Sequence, residues 1–134
     1  VIARPALPHR QPFKRALWVA VACVMAMLPL YWWAFERNPN LPDALYGGCL
    51  AVAGIAALFA SWRLRLGFWL STVAPAFAIA ATVMLRVVCD VAKDVTSHNL
   101  WPFEVAIALG VGVPVAAVGA GVGWLLSRYA AGRD

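Results

Sequence analysis

Charge is what this chain has least of. Only 13% of its 134 residues are Asp, Glu, Lys or Arg, while 63% are hydrophobic. Soluble domains carry nearer about 25% charged and about 45–50% apolar residues. A water-soluble core of this length cannot hide so many apolar side chains. Disorder requires the opposite composition, low hydrophobicity and high net charge. Both states are excluded, and an integral membrane protein remains.

The other scarcities narrow the chemistry. There are two histidines, and His9 and His98 lie outside the apolar runs on opposite sides. That excludes a transmembrane pair of axial haem ligands. The three cysteines, Cys23, Cys49 and Cys89, form no C-x-x-C, so a thiol–disulfide relay and a zinc framework are not expected. No glycine-rich phosphate loop is present, which argues against nucleotide. H-E-x-x-H and similarly tight catalytic spacings are also lacking. None of the signatures of small multidrug exporters, fluoride channels or membrane glutathione-type enzymes is found; the first would need an acid inside the first span.

What is abundant is apolar length. A helix needs about 20 apolar residues to cross the hydrocarbon core. Four runs qualify: 16–35, 44–62, 66–88 and 100–129. The first is too long for the h-region of a signal peptide and has no A-x-A-like site after it. The second follows a two-proline turn, with Asp43 as the expected N-cap. Arg63-Leu64-Arg65 is a minimal loop, which makes the second and third runs a hairpin. The fourth exceeds the bilayer thickness and must tilt, kink or emerge. The expected fold is an all-α integral membrane protein, a four-transmembrane-helix antiparallel bundle. Its domain covers 16–130, between a basic tail at 1–15 and a short tail at 131–134.

The net charge of +5 suggests nucleic acid until the charges are placed. Arg4, Arg10, Lys14, Arg15, Arg63, Arg65, Arg128 and Arg133 fall on one side. Arg37, Arg86 and Lys93 fall on the other. By the positive-inside rule both termini are cytoplasmic, in the inner membrane of a bacterium. Five of the six acids (Glu36, Asp43, Asp90, Asp94 and Glu104) lie outside, and only Asp134 lies inside. Trp18, Trp62, Trp69 and Trp124 mark one interface, and Trp32, Trp33 and Trp101 the other, as aromatic belts do. The basic excess therefore reports topology; lipid, not nucleic acid, is the expected partner.

Helix packing in lipid depends on small residues that let backbones approach. The fourth run carries Gly110, Gly112, Gly119, Gly121 and Gly123, and the second offers Gly48, Gly54, Ala53 and Ala57. These serve packing within the bundle, with a subunit interface on the fourth helix as the sharper alternative. Pro29, Pro75 and Pro114 each remove a backbone hydrogen bond inside a span, and Pro114 is the best hinge candidate.

Polarity gathers in one place. Arg86, Asp90 and Asp94 are spaced i, i+4, i+8, one face of a continuing helix. His98 and Asn99 follow in a turn. Trp101 and Glu104 open the fourth helix, whose positive end favours a charged Glu104. Three readings compete for this set. In the first, Arg86 pairs with Asp90 or Glu104, with Lys93 nearby, and pins the helix ends. In the second, Asp90, Asp94, His98 and Glu104 bind a divalent cation, or the whole set binds a small ligand. In the third, His98 is an acid/base oriented by Asp90, Asp94 or Glu104. Tyr31-Trp32-Trp33 is an interfacial belt or a wall for a cationic ligand. No acid or base sits at any midplane, which argues against a proton-coupled carrier or an anion pore. The expected function is a non-enzymatic ion- or ligand-binding or transport component, acting as a homo-oligomer or with other membrane subunits. A small membrane enzyme and a purely structural subunit are the alternatives.

Overall fold

In the computed structural model the described residues are 11–37, 42–93 and 101–132, without the side chains of 33–37, 42–47 and 101. Among them every regular element is helical: α1 (Gln11–Arg37), α2 (Pro42–Trp62), α3 (Phe68–Lys93) and α4 (Trp101–Ala131). Gln11–Trp32, Phe68–Lys93 and Pro102–Ala131 are each long and apolar enough to cross a membrane, while the apolar described part of α2, Gly48–Trp62, is shorter. The helices match the four apolar runs, with shifts at their ends.

Those shifts have physical causes. α1 starts at Gln11, inside the expected tail, because Pro12 in a first turn leaves only an N–H that would be orphaned anyway. Pro42 opens α2 for the same reason, which puts Asp43 within the first turn rather than at the N-cap. α3 starts at Phe68, not Leu66. Leu66 instead belongs to the turn, buried against Ala60, with its N–H donating to the Ala60 carbonyl at 3.1 Å. The turn closes across Arg65, which adopts φ 51°. This left-handed conformation is the usual device for closing a helix C-terminus, and it normally falls on Gly or Asn. Here an arginine occupies it although Gly67 lies two residues on.

The interior is built from small residues and the surface from large ones. Ala53, Ala57, Ala60, Ala78, Ala116 and Ala120 are fully buried, while Trp69 is 76% exposed and Val118 and Ile55 are 68% exposed. In water that surface would be an aggregation patch. In lipid it costs nothing, and close backbone approach is what holds helices together. Ala57, Ala76, Ala116 and Ala120 form one such contact among α2, α3 and α4. Gly119 packs on the Gly54 carbonyl and Gly123 on the Leu58 carbonyl, each so closely that a Cβ would collide with the oxygen. Gly112 faces Ile79 of α3, with room for a Cβ only 2.7 Å from Cδ1. Among the described residues α1 packs on α2 and α3 and not on α4. Its seam includes Cys23 and Met27, which share a core cluster with Cys49, Ile79 and Val83.

Buried hydroxyls on α3 are satisfied locally. Thr82 donates to the Ala78 carbonyl at 2.8 Å, Thr72 to Phe68 at 2.9 Å and Ser71 to Leu66 at 3.1 Å. Each of α1, α3 and α4 continues through its internal proline, at Pro29, Pro75 and Pro114.

Candidate functional site

The last two turns of α3 carry the polar group on which the sequence reading converges. Arg86 and Asp90 are one helical turn apart, so their side chains meet on one face. Arg86 Nε donates to Asp90 Oδ2 at 2.6 Å, with the two side chains only 12% and 16% exposed. This is the short, charge-assisted geometry of a strong pair.

The pair is backed by an aromatic ring from another helix. The Arg86 guanidinium carbon lies 5.1 Å from the centroid of Trp32 on α1, and Lys93 Nζ lies 5.8 Å from the same ring. Both fall within the distance at which a ring face attracts a cation. Trp32 therefore joins α1 to the end of α3, and the cations of its aromatic wall are the protein's own. The i, i+4 spacing revealed the ion pair. No sequence signal revealed Trp32 as its support, because cross-helix register has no local signature.

Glu104 lies in the first turn of α4 and is half-buried. It also takes part in an interaction within the protein. Asp94, His98 and Asn99 lie outside the described residues, as does the side chain of Trp101. Of the candidate cation ligands, Asp90 and Glu104 are the two that are described. Among the described residues no three His, Cys, Asp or Glu side chains come together as metal ligands would. Cys23, Cys49 and Cys89 are free thiols, the first two buried.

Two grooves lie at the opposite end. One, of about 630 Å³, runs between α1 and α2 over Trp18, Ala22 and Ala26 on one wall and Val52, Ile55 and Phe59 on the other. Neither Arg86, Asp90 nor Glu104 lines it. The second, of about 370 Å³, is lined by Gln11, Pro12, Arg15, Arg63, Leu64, Arg65 and Leu66. Arg15 and Leu64 belong to both. In the sequence these arginines mark topology and attraction to lipid; their convergence depends on α1 packing beside the α2–α3 turn.

No protein-family model, curated protein or solved structure matches this chain.

Proposed function

We propose that this chain is a four-span protein of a bacterial inner membrane, with both termini cytoplasmic, that works without catalysis as a subunit of a membrane assembly. Three features support the topology. α2, about 31 Å long from its 21 residues, matches the hydrocarbon thickness. Gly54 meets Gly119 and Leu58 meets Gly123, a register in which α2 and α4 advance together, as they do when successive helices alternate in direction. Arg15, Arg63 and Arg65 share one groove, which puts basic residues of two segments on one side.

The observation that carries the functional reading is the Arg86–Asp90 pair on Trp32. Its charges are spent on each other and on the ring, so they pin α1 to α3. On this reading α4 provides the assembly surface. Gly119 and Gly123 face α2, whereas Gly110 and Gly121 face open space. Ala106, Gly110, Ala117 and Gly121 fall on one helical face at the small-x-x-x-small spacing that brings spans together.

Cysteine cross-linking in native membranes tests this. Gly110→Cys and Gly121→Cys, in a background with Cys89 replaced by serine, are expected to give oxidant-dependent dimers. Val111→Cys, one residue off that face, is not. Equal cross-linking at all three positions, or none, overturns the α4 interface. A second reading, a cation or small-ligand component, rests on Glu104, whose neighbour Val105 lines one groove with Val88 near the end of α3. Binding of a divalent ion lost in Glu104→Gln would favour it.

A further inference from the structure

The geometry points to a binding site for one anionic phospholipid, its acyl chain between α1 and α2 and its phosphate headgroup among Arg15, Arg63 and Arg65. The inference rests on the membrane reading above and adds a ligand to it.

The apolar groove has the dimensions of a chain in one leaflet. Its α1 wall runs from Arg15 through Trp18, Val19, Ala22 and Cys23 to Ala26, a rise of about 16 Å. Half of a hydrocarbon core is about 15 Å. Val19, Cys23, Val52 and Ala56 are buried or half-buried along it, the small Ala22 and Ala26 leave its α1 wall low, and Trp18 and Phe59 are exposed beside them. Its polar end opens directly into the second groove, because Arg15 and Leu64 line both.

Every charged residue lining that second groove, among the described residues, is an arginine. Arg15, Arg63 and Arg65 line it, and among the described residues no carboxylate does. None of the three arginines is ion-paired among the described residues. The Arg63 guanidinium rests over Trp62 at 5.1 Å, which orients it at the interface without neutralising it. Guanidinium forks bind phosphate oxygens bidentately, and each basic residue at a membrane surface adds attraction for anionic headgroups. The occupant must be apolar over one leaflet and anionic at its end. A free phosphate meets only the second requirement and a zwitterionic lipid only the first.

The test uses the whole chain, purified in mild detergent and examined by native mass spectrometry with phosphatidylglycerol or phosphatidylcholine of identical chains. Phosphatidylglycerol is expected to be retained roughly tenfold more strongly, and Arg15→Gln with Arg63→Gln to lose about fivefold per arginine. Ala22→Phe with Ala26→Phe fills the groove while leaving every charge in place, and it too is expected to lose the adduct. Glycerol phosphate without chains should not displace the lipid. Equal retention of both lipids, retention unchanged in the groove-filled variant, or displacement by glycerol phosphate would each overturn the site. Alkaline carbonate extraction separates the two readings. A chain released from membranes ends the membrane reading, and a chain that stays but shows no lipid preference ends only this one.

Discussion

The two polar ends of the bundle use arginine in opposite ways. At the end of α3, Arg86 is half-buried, paired with Asp90 and laid on Trp32. At the α2–α3 turn, Arg63 and Arg65 are exposed and share a groove with Arg15 and, among the described residues, with no acid. A charge matched inside the chain has no field left to offer and serves to fix geometry. Charges left unmatched contribute little to stability, and their field extends to whatever approaches. The same residue type is thus a fastener at one end and a receptor at the other.

The sharpest way to break this comparison is to remove a charge at each end. Asp90→Ala removes the short carboxylate partner of Arg86 from a site that is 12% exposed, with an expected loss of about 1–3 kcal/mol in detergent unfolding. Replacing both Arg86 and Asp90 by alanine should cost less than the two single losses combined, since neither partner is then left alone. Arg63→Ala at the other end should stay within about 0.5 kcal/mol. A larger loss there than at Asp90 would invert the assignment.

A smaller effect is expected from the ring. Trp32→Leu keeps an apolar contact to α1 and removes the cation–π face, for about 0.5–2 kcal/mol. It should also raise the exchange of α3 backbone amides near Lys93, while those near Ser71 stay protected. Uniform change along α3 would mean that Trp32 acts by packing alone.

The smallest effect should carry the opposite sign. Arg65 sits at φ 51°, where a side chain is disfavoured by about 1–2 kcal/mol. Arg65→Gly is expected to stabilise the turn by about 0.5 kcal/mol after the added freedom of the unfolded glycine. Its cost should appear as weaker retention of anionic lipid. A gain in stability with lipid retention unchanged would remove Arg65 from the receptor and leave it a turn residue.

Much of the fold was legible because hydropathy has a long period and needs no partner. The runs at 16–35, 44–62, 66–88 and 100–129 became α1 to α4, and only their ends moved, where Pro12, Pro42 and the Leu66 turn decide. The ion pair was legible for a related reason: Arg86 and Asp90 lie on one helix, so spacing alone sets their approach. Trp32 was not, nor was the meeting of Arg15 with Arg63 and Arg65, since each depends on how one helix registers against another. The glycines of α4 show the same limit. Their spacing announced close packing, but only the packed helices separate Gly119 and Gly123, against α2, from Gly112, against α3, and from Gly110 and Gly121, against nothing.

The meeting of Gly119 with Gly54 and of Gly123 with Leu58 has a mechanical consequence. Where main chain rests on main chain, no side-chain rotamers lie between the two helices to absorb displacement. A force on either helix is transmitted to the other without slack, so α2 and α4 move as one stiff plank. α1 is fastened differently, through the side chains of Cys23, Met27 and Trp32, and an open groove borders it along α2.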